Sequence, residues 1–346
     1  MENQTSKTVL ITGASSGIGR ELARLFAKDG YKLVVVGRNA KMLGQLAATH
    51  WNQYGTETTI IQKDLADPNA PEEIYAETQA KGIQIDVLVN DAGFGEYGQF
   101  ATETDLQKEL NVVQVNAVAL VHLTKLYVKD MVNRNSGKIL MLGSEVSVIP
   151  NPMMAVYGAT KAFIKSFSEA IRNELQDTNV TITVLMPGAT NTNFFKTAGA
   201  DHTKGADPAK TANPADVAKE GYSALMQGKD HVVAGWMNKA RVAAAHVLPD
   251  PFLAANVRSD MTPKDETEDK SKEQLTQLAV GISVVVGVIA GLYLTYRQAS
   301  PYDKLKYRYK AGKAAKSAKS ALGSVSDSVK GAYAKAKSAV DEAQFV

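Results

Sequence analysis

Thr12-Gly-Ala-Ser-Ser-Gly-Ile-Gly19 is a glycine-rich stretch between two segments of different periodicity. The short apolar run Thr8–Ile11 precedes it, and Arg20–Ala27, with apolar residues at helical spacing, follows it. The pattern predicts a strand, a tight turn and a helix. The glycines would let the turn approach a dinucleotide pyrophosphate, to which the helix N-terminus would present free N–H groups. The contacts expected from this turn are Gly13, Ser15, Ser16, Gly17, Ile18 and Gly19.

A glycine run alone is also compatible with an ordinary strand-to-helix turn, so the remaining sequence must decide. Further short apolar runs, separated by helical patterns, predict an α/β fold with a doubly wound, Rossmann-like parallel sheet of about seven strands. A C-terminal hydrophobic helix and a basic tail would follow it. The additional predicted strands are Lys32–Val36, Thr59–Gln62, Asp86–Val89, Lys138–Leu142, Thr181–Leu185 and His231–Ala234.

Tyr157-Gly-Ala-Thr-Lys161 places a phenol and an ammonium four residues apart, on one face of a helix. A free tyrosine has a pKa of about 10 and is a poor acid-base catalyst near neutrality unless its phenolate is stabilised. Lys161 would supply that stabilisation. Tyr157 would then protonate a carbonyl oxygen as hydride arrives, and Ser144 would hydrogen-bond the same oxygen, so both would bind the substrate. Without Ser144 and Asn116 elsewhere in the sequence, a lone Tyr and Lys at this spacing would indicate only an exposed helix face.

The order of these motifs resembles that of the short-chain dehydrogenases/reductases of the common single-domain type, over residues 7–258. The resemblance implies that Lys161 also binds the nicotinamide ribose and that Asn116 holds a water. Asp91 departs from the family pattern, which has asparagine there; we interpret it as a local variation of the turn. The implied catalytic residues are Asn116, Ser144, Tyr157 and Lys161. Tyr157 and Lys161 are also implied cofactor contacts, and the further ones are Asn90, Ala92, Gly93, Pro187, Gly188 and Thr192.

Cofactor choice is predicted from the end of the second strand, Val36-Gly-Arg-Asn39. An acid there would bind a ribose 2′-hydroxyl, whereas arginine accommodates a 2′-phosphate. We therefore expect NADP(H), with Ser15 and Arg38 at the phosphate and Asn39 nearby. The alternative is that Arg38 is only a solvated loop charge. Asp64 and Leu65 resemble the pair that borders the adenine ring.

Composition excludes several other chemistries. The chain has no cysteine, which excludes a disulfide framework and a thiolate nucleophile, and its five histidines are scattered. We therefore predict no metal site. The expected reaction is hydride transfer between NADP(H) and a carbonyl or alcohol. A catalytically idle NADP-binding scaffold or redox sensor at the membrane is the alternative.

Substrate identity would depend on residues 189–214, after the sixth strand, and on residues 236–261. Met153, Met154, Phe194 and Phe195 suggest an apolar pocket for a ketone, an aldehyde or a 3-oxoacyl compound. They could equally pack a lid against the domain.

The C-terminal part of the sequence changes composition. Residues 259–277 are predicted to be a charged linker, and residues 278–296 contain no charge over a length that can cross a bilayer as a helix. Residues 297–346 form a basic tail rich in Ala, Lys and Ser, with eleven Lys or Arg against four Asp or Glu. This tail could lie on anionic lipid or be simply solvated. It has no base-reading motif, so nucleic acid is not a predicted partner.

The expected localisation is at a membrane, with the catalytic domain facing the cytoplasm. The positive-inside rule conflicts with a simple crossing, because it would place the basic tail on the cytoplasmic side as well. Three arrangements therefore remain open: the tail crosses despite its charge, the apolar segment re-enters or lies in one leaflet, or it joins subunits. The family resemblance also implies a homo-oligomer.

Overall fold

The computed structural model describes residues 7–264. Among them, residues 7–239 and 250–264 belong to one compact unit, and residues 240–249 belong to a second. The predicted apolar segment 278–296 and tail 297–346 lie outside the described residues, as does most of the predicted linker. Within residues 7–264, no helix is both long and apolar enough to cross a bilayer.

The first unit is built on a parallel sheet of seven strands in the order β3-β2-β1-β4-β5-β6-β7. This confirms the predicted doubly wound sheet, and each strand begins and ends within one residue of its predicted bounds. The strands are β1 Thr8–Thr12, β2 Lys32–Gly37, β3 Thr58–Gln62, β4 Val87–Asn90, β5 Gly137–Leu142, β6 Val180–Met186 and β7 His231–Val233.

Helices connect the strands and cover both faces of the sheet. A π-helical turn, Gln114–Val118, joins the fourth helix to the fifth, and short 3₁₀ segments lie at Glu145–Ser147 and Lys204–Ala206. The α-helices of the described residues are α1 Gly17–Lys28, α2 Ala40–Tyr54, α3 Ala70–Ala80, α4 Leu106–Val113, α5 Ala119–Asn133, α6 Ala155–Glu174, α7 Phe194–Ala198, α8 Pro214–Met226, α9 Trp236–Ala245 and α10 Asp250–Asp260.

Alternate residues of the central strands enter two separate cores. Val9 and Ile11 of β1 pack in one apolar cluster with α1 and α8, whereas Leu10 packs in the other with α3 and α5. Successive side chains of a strand point to opposite faces, so a strand covered on both sides needs a continuous apolar run. This explains why the predicted strands lack polar alternation.

The strand order reverses between β1 and β4, which are neighbours in the sheet. β2 lies on the other side of β1, and the carboxyl ends of these parallel strands meet at one edge. Ligands of open α/β sheets bind outside that edge, at the reversal point. The fold therefore brings the motifs that follow β1, β2, β4, β5 and β6 to one place.

The predicted substrate loop, residues 189–214, contains α7. One isolated bridge closes the loop on itself, and another joins it to a later segment. Thr190 forms an isolated bridge with Ala212, and Thr203 forms one with Pro263. The Tyr97 hydroxyl donates to the Met261 carbonyl at 2.7 Å. Residues 261–263, near the end of the described chain, therefore contact both this loop and the loop that contains Tyr97.

Candidate active site

The glycine-rich turn leaves β1 and enters α1 through two left-handed residues. Gly13 has φ +74° and Gly17 has φ +58°, a region that favours glycine. The Gly13 N–H donates to the Val36 carbonyl at 3.0 Å, which anchors the turn to β2. Helix α1 begins at Gly17, so its free N–H groups lie within the turn. This is the predicted phosphate cradle.

Thr192, which lies in the substrate loop, packs against the glycine-rich turn. A Cβ atom placed on Gly17 would lie 3.0 Å from the Thr192 methyl carbon. The Thr192 hydroxyl accepts the Phe194 N–H at 3.2 Å, at the start of α7. Sequence analysis placed Thr192 at the cofactor, and the structure brings it against the phosphate turn.

The predicted 2′-phosphate residues meet at the end of β2. A Cβ atom on Gly37 would lie 3.8 Å from the Ser15 hydroxyl oxygen, so the turn and the strand end are close together. Arg38 follows with a side chain that is 69% exposed, 3.8 Å from the Asp64 carboxylate. Asn39 caps α2, because its side-chain oxygen accepts the Met42 N–H at 3.0 Å. This capping role was not predicted.

The residues predicted at the adenine ring follow β3. The Asp64 carboxylate accepts the Ala66 N–H at 3.0 Å and also faces Arg38. Leu65 is buried in the second core. The structure therefore gives Leu65 a packing role, while Asp64 lies beside the predicted phosphate contact.

Two hydroxyl groups hold the motif Asn90–Gly93 at the end of β4. The Thr12 hydroxyl accepts the N–H groups of Asp91 and Ala92, each at 3.1 Å. The Asn90 amide donates to the Thr124 hydroxyl at 3.0 Å. These contacts join β1, β4 and α5. They fix the backbone of the motif at the carboxyl end of β4.

Asn116 lies in the π-helical turn and binds the strand end across from it. Its side-chain oxygen accepts the Phe94 N–H at 3.1 Å, and its amide donates to the Phe94 carbonyl at 2.9 Å and to the Thr160 hydroxyl at 3.1 Å. A Cβ on Gly93 would lie 3.1 Å from that oxygen. Asn116 thus links the loop after β4 to α6.

Ser144 follows β5 and faces both β6 and α6. Its hydroxyl donates to the Pro187 carbonyl at 3.3 Å and accepts the Val146 N–H at the same distance. A hydrogen bond from Ser144 also acts on the Tyr157 phenol. Pro187 and Gly188 come directly after β6, and a Cβ on Gly188 would collide with the Asn238 side chain at 2.5 Å.

Tyr157 lies in the first turn of α6, half-buried beside Ser144. Burial raises the pKa of the Tyr157 phenol above its usual value and the nearby Glu145 raises it further, while the Ser144 hydrogen bond lowers it. Tyr157 is therefore held as a neutral phenol, a proton donor. Stabilisation of the phenolate by Lys161 stays a prediction.

Lys161 lies one helical turn further along α6 and is only 3% exposed. Its ammonium donates to the Leu142 carbonyl at 2.7 Å and lies 5.6 Å from the centre of the Tyr157 ring. Burial lowers the pKa of Lys161 to about 8, although the Asp91 carboxylate acts in the opposite direction. The chain therefore buries a cation beside the phenol and the cofactor edge.

The sequence left open whether the apolar residues around Tyr157 line a substrate pocket or pack a lid, and the structure shows which contacts they make. The Phe194 ring lies 5.0 Å from the Tyr157 ring, and a Cβ on Gly95 would collide with Met154 and approach both rings. Met154 and Phe195 are buried together in a small cluster with α7. The partly buried Phe194 therefore lies between Tyr157 and this cluster, whereas Phe195 is buried within the cluster. Met153 has φ +67° and shapes the entry to α6.

Several residues of the site were not found by sequence reasoning. Thr12 holds the loop after β4, Thr160 binds Asn116, and the Leu142 carbonyl binds Lys161. Glu145 is buried next to Ser144 and acts on Tyr157. Thr12 and Thr160 lie within quoted motifs, so their position was a usable signal. The roles of Leu142 and Glu145 depend on contacts between elements.

Comparison with known proteins gives concordant results. The NADP-dependent 3-hydroxy acid dehydrogenase YdfG of Shigella flexneri is 34% identical over 180 residues, which are 52% of this chain and 71% of that protein. The very-long-chain 3-oxoacyl-CoA reductase of Anas platyrhynchos is 33% identical over 185 residues, 51% of this chain and 58% of that protein. The chain therefore spans less than two thirds of the reductase.

Among solved structures, a short-chain dehydrogenase from Sphingobium yanoikuyae in complex with NADPH aligns with a TM-score of 0.61 at 27% identity. The alignment covers 70% of this chain and 96% of that one. The family model described as short chain dehydrogenase matches residues 7–203, more than half of the sequence. With Ser144, Tyr157 and Lys161 gathered beside a glycine-rich phosphate turn, the chain belongs to the short-chain dehydrogenase family.

Proposed function

We propose that this protein is an NADP(H)-dependent oxidoreductase that transfers hydride between the nicotinamide and a carbonyl or alcohol carbon. The observation that carries the proposal is the grouping of Ser144, Tyr157 and Lys161 at the sheet edge next to the turn of Gly13 and Gly17. The NADP-dependent enzyme of Shigella flexneri and the NADPH complex from Sphingobium yanoikuyae support the choice of cofactor.

The residues present fit a dinucleotide. The left-handed glycines place no Cβ atom at two points of the turn, and the N-terminus of α1 offers N–H groups to a pyrophosphate. Arg38 is exposed at the end of β2, and Ser15 lies near the adjacent Gly37, which suits a 2′-phosphate. Bound NADPH would supply the hydride.

The chain's own residues would handle the substrate oxygen. Ser144 and Tyr157 would both hydrogen-bond that oxygen and hold the carbonyl in place. The neutral Tyr157 phenol would donate its proton as negative charge develops on the oxygen. The Lys161 ammonium, fixed by the Leu142 carbonyl, would stabilise the phenolate that remains. Asn116 would keep the loop after β4 in position.

The substrate that we propose is apolar and of the 3-oxoacyl or 3-hydroxyacyl type. The Phe194 ring is an apolar surface beside Tyr157, which suits an alkyl chain next to the reacting carbonyl. The names of the two curated relatives, a 3-hydroxy acid dehydrogenase and a 3-oxoacyl-CoA reductase, favour this class.

The test is oxidation of NADPH by the full-length protein in detergent, with short- and long-chain ketones, aldehydes and 3-oxoacyl thioesters as substrates. We expect turnover with NADPH well above that with NADH, and loss of turnover in Tyr157→Phe. Saturable NADPH binding without turnover on any of these substrates would favour the idle scaffold or redox sensor instead.

We further propose that the protein associates with a membrane through residues 278–296, with the catalytic domain facing the cytoplasm. The support is the uncharged length of that segment in the sequence and the cytoplasmic supply of NADPH that reduction would need. Alkaline extraction of membranes from expressing cells should leave the full chain in the pellet and release a chain ending at residue 264. Protease accessibility of tags at both ends would determine the topology.

A further inference from the structure

Asp91 is an acidic residue buried in the cofactor edge of the sheet, where the family pattern has asparagine. Asp91 directly follows β4 and is only 9% exposed. Its N–H is held by the Thr12 hydroxyl, so its backbone position is set from β1. A buried carboxyl is costly when ionised and unpaired, and a neutral asparagine would avoid that cost.

The Asp91 carboxyl lies directly against the phosphate turn. A Cβ placed on Gly13 would come within 3.1 Å of its Oδ2 atom, and one placed on Gly19 would collide with that atom. The Gly19 N–H forms a hydrogen bond with the carboxyl. The second oxygen, Oδ1, is buried and has no hydrogen-bond partner among residues 7–264. Oδ1 is therefore an oxygen at which this carboxyl can hold a proton.

Few charged groups act on this carboxyl. From α6, the Lys161 ammonium attracts it, and from the turn the Gly19 N–H stabilises its ionised form. The neighbouring side chains from the other elements packed here, Thr12 of β1 and Asn116 of the π-helical turn, are neutral. Burial raises the pKa of Asp91 to about 7 despite Lys161, so both protonation states are accessible near neutral pH.

We propose that Asp91 takes up a proton at Oδ1 when the pyrophosphate of NADP(H) binds to the turn, and releases it when the cofactor leaves. The proposal rests on the proposed function, because it needs the dinucleotide at this turn. A pyrophosphate held by this turn would add two negative charges near the carboxyl. Neighbouring like charges disfavour each other's ionised form, so binding would shift Asp91 toward the neutral acid.

The neutral acid carries the same kinds of hydrogen-bonding group as asparagine. One oxygen can accept the Gly19 N–H, as an asparagine oxygen would. The protonated oxygen becomes a donor, as the NH₂ group of asparagine is. Protonated Asp91 is therefore the form that imitates the family residue, and the ionised form is specific to this chain. The proton comes from solvent, and no other bond changes.

The experiment is calorimetric titration of the full-length protein with NADPH at pH 7.5, in two buffers with different ionisation enthalpies. The difference between buffers measures the protons taken up per NADPH bound. Asp91→Asn is the matched variant, because it keeps the shape and removes the titration. We expect the wild type to take up about half a proton more than the variant. Any proton exchange by the cofactor's own 2′-phosphate is common to both proteins and cancels.

The pH dependence of affinity provides a second measurement that does not need the variant to fold. We expect the wild-type Kd for NADPH to rise by several-fold up to tenfold per pH unit between pH 7 and 9, the limit for one linked proton. In Asp91→Asn only Lys161, with a pKa of about 8, still titrates in this interval, so the rise should be clearly smaller than in the wild type. Equal proton uptake in both proteins, or a flat wild-type profile, would overturn the proposal. Failure of the wild type to bind NADPH at all would instead reject the proposed function.

Discussion

The cofactor side and the substrate side of this active site are held in different ways. The phosphate turn, residues 12–19, is fixed by backbone hydrogen bonds and by glycines that leave no space for side chains. The substrate loop, residues 189–214, is fixed by two isolated bridges and by side-chain packing around Phe195. A backbone constraint permits few residue types, whereas packing permits many. The two sides should therefore respond differently to substitution.

The largest effect should come from the catalytic group that lies between the two sides. Tyr157→Phe removes the proton donor and leaves the ring against Phe194 in place. We expect kcat to fall by about 10²- to 10⁴-fold, the usual contribution of general acid catalysis. Steady-state kinetics with NADPH and the best ketone would measure it. NADPH affinity should stay within about twofold of the wild type; a large loss of affinity would mean that the variant has disturbed the site itself.

On the cofactor side, Gly19→Ala should be strongly disruptive. Its Cβ would collide with Asp91 and lie 2.7 Å from the Gly13 carbonyl oxygen. We expect NADPH affinity to fall at least tenfold and the free energy of unfolding to fall by about 1–3 kcal/mol, as overpacking commonly causes.

Gly44→Ala is the matched control for that variant. Gly44 lies in α2, and a Cβ there meets no atom within 4 Å. Alanine should raise the free energy of unfolding by roughly 0.5–1 kcal/mol, since glycine is a poor helix former. Equal stability of the two variants in urea denaturation would contradict the proposed tightness of the turn.

Arg38→Ala tests the predicted phosphate contact at the end of β2. Because Arg38 is exposed, its charge-assisted contact should be moderate, and we expect the Kd for NADPH to rise about tenfold. The Kd for NADH should be unchanged, since NADH lacks the 2′-phosphate. Lys28→Ala, which removes an exposed charge at the far end of α1, should change neither. An unchanged Kd for NADPH would support the solvated-loop interpretation, and equal weakening of NADPH and NADH binding would mean that the variant has disturbed the site as a whole.

The smallest effect should come from the substrate loop. Phe194→Ala removes a ring that contacts Tyr157 without altering the backbone of the site. We expect KM for a long-chain substrate to rise several-fold, while kcat/KM for a short ketone changes little, because only the longer chain loses apolar contact. Phe100→Ala is the control, since Phe100 is 63% exposed. Equal losses for short and long substrates would show that Phe194 positions Tyr157 instead.

Local patterns predicted the sheet well because they act within a few residues. The buried strands are continuous apolar runs, and the observed ends differ from the predicted ones by at most one residue. Asn39 was harder, because the same amide can cap a helix or contact a ligand, and only the bond to Met42 distinguishes the two. Two influences on the Tyr157 pKa were also not predicted. Burial of the phenol and the nearby Glu145 both raise that pKa, and neither can be read from the spacing of Tyr157 and Lys161.

The sequence by itself determined the order of the strands along the chain, the glycine turn and the residues of the catalytic set, because these depend on periodicity and on residue type at fixed spacing. Tertiary structure decided that Phe195 is buried while the Phe194 ring contacts Tyr157, and it placed the Asp91 carboxyl against the turn, where the Lys161 ammonium acts on it. Both outcomes depend on contacts between segments distant in the chain. Burial then shifts the pKa values of the groups that the fold brings together. Desolvation depends on the whole folded molecule, so no single segment of the sequence predicts it.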